Sequence, residues 1–451
     1  MNKFTDYLNK YTDGKSVCIL GFGREGKSTY KMLRKYCSPS IIAISDLNPI
    51  DRKANDIPDS VDIISGEGYQ ECLEKYDIVF KSPGIVLNKQ PEELRCTITS
   101  ETQVFFSVYG DQIVGITGTK GKSTVTSLIY HILKESGRDC RLAGNIGIPV
   151  FDIAEDVNAE TIVVCELSCH QLEYMTVSPH IALFLNLYEE HLDHYGTMER
   201  YAAAKNNIYL HQHEVDWLFC NYDIVPENVH SMTVSMSLDQ HDANVFVEGG
   251  VIHGTESEFR IPVDRIKLLG VHNHYNIAAA YEVCRYYDVT PDEFEAALCT
   301  FDPLSHRLEY VDTVKGIRWY DDSISTACAT AIEALKSVPE PGTIIIGGMD
   351  RGIDYSDLVE FLAHFSVNVI CMETSGKRIY DQISKSDFDS KERVHYVEHL
   401  DEAVRLASEI TPEGKSCVMS PAAASYGIFK NFEERGDAFK ALVEALKNQS
   451  T

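Results

Sequence analysis

The chain has 451 residues, 44% of them hydrophobic and 24% charged, and a formal net charge of −27. That acidity excludes non-specific binding to nucleic acid and to anionic membrane surfaces, both of which would repel it. No run approaches the roughly 18 apolar residues needed to span a bilayer, and Met1-Asn2-Lys3-Phe4-Thr5-Asp6 lacks an apolar signal core. Thirteen cysteines share no repeated spacing, and several (Cys18, Cys165, Cys371) sit inside apolar runs. They read as reduced core residues, so a cytoplasmic protein is expected.

A chain of this length is expected to form roughly three domains. Strands alternate with helical patterns almost throughout, which predicts an α/β fold of doubly wound, mostly parallel sheets. The first set occupies residues 1–100. Its strand Val17-Cys18-Ile19-Leu20 runs into Gly21-Phe22-Gly23-Arg24-Glu25-Gly26-Lys27-Ser28, and Asp46 ends the next strand. This loop satisfies the dinucleotide fingerprint G-x-G-x-x-G and the strict phosphate loop G-x-x-x-x-G-K-S at once. The later strand Asp77–Phe80 runs into Lys81-Ser82-Pro83-Gly84 and carries no metal ligand. The loop is therefore expected to hold a phosphate-bearing ligand other than ATP, with Lys27-Ser28 a decoy.

The second set spans residues 101–304. A strand through Ile113, Val114 and Ile116 leads into Gly118-Thr119-Lys120-Gly121-Lys122-Ser123-Thr124, and a helical pattern follows through Leu128, Ile129, Ile132 and Leu133. Strand, glycine loop, Lys-Ser and helix are what a nucleoside triphosphate requires. Backbone N–H groups at the helix start wrap phosphates, Lys122 neutralises the outer ones, and the Ser123 hydroxyl ligates Mg²⁺. The strict pattern fails here because Ile116 stands five residues before Gly121, so the downstream residues decide. One later strand ends in Glu166, and another, Ile181–Asn186, precedes Glu189, Glu190, His191, Asp193 and His194. Carboxylates and imidazoles at the carboxyl ends of parallel strands suit a metal-nucleotide site, which places ATP on residues 115–124.

Other segments leave alternatives open. Cys169-His170 invites a nucleophile reading, but neighbours in a strand or helix point apart, so Glu166 as a metal carboxylate is preferred. His191 is either a metal ligand or a hydrogen-bonded structural residue. Lys205, in Tyr201-Ala202-Ala203-Ala204-Lys205, reads as a solvated surface lysine. Asn273 and Asn276 can share a helix face or act as caps. A strand-rich insert near 230–263 is expected to turn at Glu248-Gly249-Gly250-Val251. The third set, residues 305–451, contains Ser305-His306-Arg307, Asp321-Asp322-Ser323, Ile344-Ile345-Ile346 before Gly347-Gly348, and Cys417-Val418-Met419.

Taken in order, these motifs resemble the Mur ligase family over nearly the whole chain, in particular its D-glutamate-adding members. The match rests on Thr117–Ser123, Ser82-Pro83-Gly84-Ile85, Gly144-Asn145-Ile146-Gly147, Glu166-Leu167-Ser168 and His191–Tyr195. Further along it rests on Gly270-x-His272-Asn273-x-x-Asn276, His306-Arg307, Asp322-Ser323, Ser420–Ser425 and the segment from Phe429 to Gly436.

The resemblance implies a Rossmann-like UDP-substrate domain, a central ATPase domain and a Rossmann-like carboxyl-terminal domain that brings in the amino acid. The implied activity uses ATP to activate the carboxylate of UDP-N-acetylmuramoyl-L-alanine for attack by D-glutamate, in a monomer with no macromolecular partner. By motif position, Lys122, Lys205 and His191 are catalytic. Ser123 holds one Mg²⁺, and Glu166, His191 and a carbamylated Lys205 hold a second. Asn273, Asn276, Arg307 and Asp322 fall at nucleotide positions. Gly23, Arg24, Glu25, Asp46, Ser82, Pro83, Gly84, Asn145, Ser168 and Gln171 line the UDP-substrate path, and Arg351, Ser425 and Phe432 the amino-acid site. Ile324 departs from the family's Asp-Ser-Lys pattern. The readings set against this are a sister ligase or a folylpolyglutamate synthase-like ligase, and an NAD-dependent oxidoreductase using Gly21–Gly26 and Asp46.

Overall fold

A computed structural model describes residues 2–385 and 391–449. It divides into two compact units, Met1–Ile261 with Tyr275–Leu298, and Pro262–His274 with Cys299–Thr451. Three sheets flanked by helices build them.

The first sheet contains β1 (Ser16–Leu20), β2 (Ile41–Asp46), β3 (Asp62–Ser65), β4 (Ile78–Lys81) and β5 (Thr97–Thr99) in the order β3-β2-β1-β4-β5. All its pairings are parallel. Val17 to Leu20 are fully buried, as an unbroken apolar run must be when helices cover both faces. The order reverses at β1, which opens a crevice between the carboxyl ends of β1 and β4. The Gly21 loop lies at that crevice. A Cβ on Gly26 would sit 2.0 Å from the Gly21 carbonyl oxygen, so only glycine lets the helix Arg24–Tyr36 start this close to the strand.

The second sheet contains β6 (Ile113–Thr117), β7 (Cys140–Gly144), β8 (Ile162–Glu166), β9 (Ile181–Phe184), β10 (Trp217–Asn221), β11 (Met232–Ser237), β12 (Val245–Glu248), β13 (Val251–His253) and β14 (Glu258–Arg260). Its order is β14-β13-β12-β11-β10-β9-β6-β8-β7. It is parallel from β7 to β12, and β12–β14 form an antiparallel edge. The expected turn at Glu248–Val251 is there, with Gly249 and Gly250 both at positive φ. That backbone matches a two-residue hairpin turn to the twist of its strands. The first two sheets share one apolar core. Phe151 bridges them, its ring 5.0 Å from that of Phe4 and 6.3 Å from that of Phe80.

The third sheet, in the second unit, contains β15 (Glu309–Val314), β16 (Ile317–Asp321), β17 (Pro341–Ile346), β18 (Asn368–Met372), β19 (Val394–Val397) and β20 (Ser416–Met419). Their order is β15-β16-β20-β17-β18-β19, with β15 the one antiparallel strand. No helix among the described residues is long and apolar enough to cross a membrane.

Gly26→Ala is expected to destabilise the protein by about 1–3 kcal/mol through overpacking against the Gly21 carbonyl, read as a lower urea midpoint. An unchanged midpoint would mean that loop and helix are not this tightly apposed.

Candidate active site

The phosphate loop leaves the carboxyl end of β6. Parallel pairing sets Ile116 opposite Glu166 on β8 and Thr117 opposite Phe184 on β9. The chain then turns through Gly118 (φ 155°) and Gly121 (φ 86°), conformations that suit glycine. The early glycine of this loop is therefore Gly118, three residues before Gly121, which accounts for the missed strict pattern. Asn276 closes over the loop, since a Cβ on Gly121 would lie 2.8 Å from its Oδ1. The helix Lys122–Glu135 begins at once, with Lys122 and Ser123 its first two residues. Its unpaired N–H groups thus open onto the loop. Lys122 Nζ folds back to donate to the Gly118 and Thr119 carbonyls at 2.9 and 3.0 Å. Burial lowers its pKa, opposed by Glu166 and Glu190. Thr119 is buried with its hydroxyl 3.1 Å from that of Tyr201, and Lys120 pairs with Glu190 at 2.9 Å.

Glu166, the last residue of β8, is 1% exposed. Its Oε1 accepts from Asn145 Nδ2 at 2.6 Å, whereas Oε2 is buried without a partner. An unmatched buried carboxylate oxygen is costly, and here it faces the charge of Lys122 and Lys205; it fits a metal ligand. Lys205 is no surface lysine, as the residues alone suggested. It is 1% exposed, donates to the Gly118 carbonyl at 2.8 Å and lies 5.0 Å from the Tyr201 ring centre. Burial, then repulsion from Lys122, pulls its pKa down to about 7. His191 is exposed at φ 57° and precedes the short helix Leu192–Tyr195, with its ring 5.1 Å from that of His170.

The Gly21 loop is built differently. Its helix begins at Arg24, so Lys27 and Ser28 come a full turn later. Ser28 is buried and donates to Asp152 Oδ1 at 2.6 Å, which removes it from any phosphate. Asp46 Oδ2 accepts from Phe22 N at 2.6 Å and braces the loop, while its Oδ1 accepts from Asn48 N at 2.8 Å in the turn after β2. Ser82 Oγ donates to the Gly21 carbonyl at 2.8 Å, and Pro83 and Gly84 follow it at the crevice. Gly23 caps the helix, and the Arg24 guanidinium packs on Gly147, where a Cβ would be 2.9 Å from Nη1. Gln171 Nε2 donates to Glu25 Oε1 at 2.8 Å. Burial pushes the Glu25 carboxyl up to about 7, with Gln171 opposing. Ser168 caps the helix Cys169–Leu172 by accepting from Gln171 N. The first loop and the Asn145–Gln171 segment thus interlock within one unit.

Cys169 and His170 do not point apart in this short helix. Cys169 Sγ lies 3.5 Å from His170 Nδ1. Burial and the nearby His194 and His191 nevertheless push His170 down to about 4, so it holds no proton near neutrality.

In the second unit, Asn273 donates to the Leu269 carbonyl at 2.7 Å. It lies in the helix Val271–Tyr286, so it sits within the first turn and not at a cap before the helix. Asp322 is buried, accepting from Ser325 at 2.5 Å, Ser420 at 2.7 Å and Leu308 N at 3.1 Å. Burial raises it to about 6, against these bonds and the charge of Arg307. Arg351 is exposed, Ser425 buried and Phe432 half-buried. Ser323 Oγ holds the Phe432 carbonyl at 2.8 Å, and the buried Arg435 donates to Ser323 and to the Ala423 carbonyl.

This architecture is that of a phosphate-loop α/β enzyme with a second glycine loop of Rossmann type in the same unit. Residues 116–284 match the Mur ligase middle domain and residues 306–423 the Mur ligase, glutamate ligase domain. Among curated relatives, the UDP-N-acetylmuramoylalanine--D-glutamate ligase of Symbiobacterium thermophilum is 33% identical over 401 residues, covering 86% of this chain and 88% of that one. Its counterpart in Geobacillus kaustophilus is 32% identical over 454 residues, covering 97% and 99%. The chain belongs to the Mur ligase family. Solved structures share the fold: the MurF ligase of Thermotoga maritima in complex with ADP, at TM-score 0.60, 17% identity and full coverage of both chains. The UDP-N-acetylmuramate-alanine ligase MurC of the same organism follows at TM-score 0.59 and 16% identity, covering 97% and 100%.

Ser123→Ala is expected to weaken Mg²⁺-dependent ADP binding about tenfold or more, as loss of a charge-assisted contact would, while Ser28→Ala leaves it unchanged. Isothermal titration of both variants checks this, and the reverse ranking would move ATP to the first loop.

Proposed function

We propose that this protein is an ATP-dependent ligase that joins D-glutamate to UDP-N-acetylmuramoyl-L-alanine in peptidoglycan precursor synthesis, releasing ADP and phosphate. The names of full-length relatives at 32–33% identity support the substrate pair. The observation that carries the chemistry is the half-satisfied Glu166, buried between the phosphate loop and the segment that interlocks with the sugar-nucleotide loop.

A carboxylate is a poor electrophile, so ATP first converts it to an acyl phosphate, and the amine of D-glutamate then displaces phosphate. The loop N–H groups and Lys122 take the charge spread over the transferring phosphoryl group. On nucleotide binding, Lys122 exchanges its loop carbonyls for phosphate oxygens. Asn145 orients Glu166, and Ser168 and Gln171 line the route of the acceptor. Ser123, Glu166, His191 and Lys205 are the residues that would hold Mg²⁺. Bound there, the ions would neutralise phosphate charge and polarise the phosphoryl oxygens.

Lys205 suits carbamylation. The reaction joins a neutral amine to CO₂ with loss of a proton, and burial beside the charge of Lys122 favours the neutral amine. The product would turn a buried cation into a metal-binding anion. In this reading the first sheet takes the UDP moiety, the second ATP and the third D-glutamate, with Arg351 suited to a carboxylate fork. Asn273, Asn276, Arg307 and Asp322 are proposed at the nucleotide, and Ser425 and Phe432 at the amino acid. The protein acts as a cytoplasmic monomer in this reading, supported by its charge and its free cysteines.

Phosphate release with ATP, Mg²⁺ and UDP-N-acetylmuramoyl-L-alanine is expected with D-glutamate and not with L-glutamate, L-lysine or meso-diaminopimelate. Release with another amino acid would move the enzyme within its family. Lys122→Ala is expected to lower kcat at least about a hundredfold with an unchanged melting temperature. With ¹³C-bicarbonate, a carbamate carbon resonance absent from Lys205→Ala is expected. It should fade as pH falls below about 7, because the amine is then protonated; a pH-independent or missing signal would refute the modification.

A further inference from the structure

Lys81 closes β4, an otherwise apolar strand, and is 5% exposed. Burying an ammonium normally demands a close carboxylate and three good acceptors. Lys81 has neither. Its Nζ reaches the Ser82 and Pro83 carbonyls at 3.4 and 3.2 Å. It forms a long ion pair with Glu173 Oε2 at 3.9 Å, the other oxygen of that group lies 3.5 Å from His194, and the charge of Glu25 also acts on it. The Tyr174 ring is 5.3 Å off. These long contacts leave the ammonium with donor capacity for a further acceptor.

Its place is specific. β4 pairs with β1 so that Lys81 stands opposite Leu20, the residue before the glycine loop. The carbonyls it touches belong to the Ser82–Gly84 turn, whose Ser82 Oγ holds Gly21 at 2.8 Å. A small cavity of about 20 Å³ lies beside it, lined also by Ile98, Thr99, Ser100, His170, Gln171 and Tyr174; that is room for about one water or one ligand oxygen. The Gly21 loop offers N–H groups to a diphosphate, but its cation Arg24 is turned onto Gly147.

We propose that Lys81 is a binding residue for the diphosphate of the sugar nucleotide, supplying positive charge beneath the Ser82–Gly84 turn at the β1/β4 crevice. The inference rests on the ligase reading for the identity of the substrate. Lys81 exchanges its weak carbonyl contacts for a phosphoryl oxygen, and Glu173 keeps it in place in the absence of ligand.

The test measures KM for UDP-N-acetylmuramoyl-L-alanine and for ATP, and Kd for UDP and UMP, in wild type, Lys81→Met and Lys81→Arg. Lys81→Met is expected to raise the sugar-nucleotide KM and the UDP Kd about tenfold or more, the size of one charge-assisted hydrogen bond. Its kcat and ATP KM should stay the same, and UMP, lacking the second phosphate, should be affected less. Lys81→Arg is expected to fall between the two. A folded Lys81→Met with unchanged UDP Kd, whatever its melting temperature, overturns the proposal and leaves Lys81 a structural residue. Should Lys81→Met not fold, Lys81→Arg decides: a raised UDP Kd with normal ATP KM supports the role, and an unchanged one overturns it. A wild-type protein inactive on this substrate would sink the ligase reading, while the UDP titrations would still test Lys81.

Discussion

The register of β6 against β8 and β9 is the constraint from which the site follows. Because side chains alternate along a strand, a slip of one residue would turn Glu166 to the opposite face. In the register observed, Ile116 pairs with Glu166, so the carboxylate emerges beside the loop that begins two residues later. The same three strands set the Leu167 backbone against Ile116 and that of Leu185 against Thr117. Loop, carboxylate and the His191 segment therefore converge on one sheet edge.

Around that edge the protein concentrates buried charge. Lys122, Lys205 and Glu166 share a region where desolvation outweighs solvent screening, and both lysines are shifted downward in consequence. Such an arrangement costs stability and is found where chemistry requires it. Tyr201 and Thr119 close the region from one side, and the imidazoles of His170 and His194 crowd it from another.

The two glycine loops show how much depends on where a helix begins. Both present Gly-Lys-Ser after a parallel strand. In the first, the helix starts three residues before Lys27, which carries Ser28 into the core against Asp152. In the second it starts at Lys122 itself, so lysine and serine stand at the open amino end. A pattern of residue types does not encode that phase; the close contact of Gly26 with Gly21 does.

Much was legible in the residues. Apolar runs bounded by glycine marked the strands, because a strand covered on both faces needs no polar alternation. Glu166 and His191 were visible because they end or follow such runs. Local sequence shows neither Lys205 nor Lys81 to be buried, since burial of a charged side chain depends on which helix or strand lies across it, and neighbours in sequence do not report that; for Lys205 only the family resemblance points inward. Average helix geometry points Cys169 and His170 apart, whereas a short capped helix brings them together. The sequence by itself determined the α/β class, the order of the strands' chemistry and the family, because these rest on periodicity and on motifs local in the chain. Only the tertiary structure decided which glycine loop presents its serine, which lysines are buried and which carboxylate oxygen lacks a partner, because each is set by contacts between segments distant in sequence.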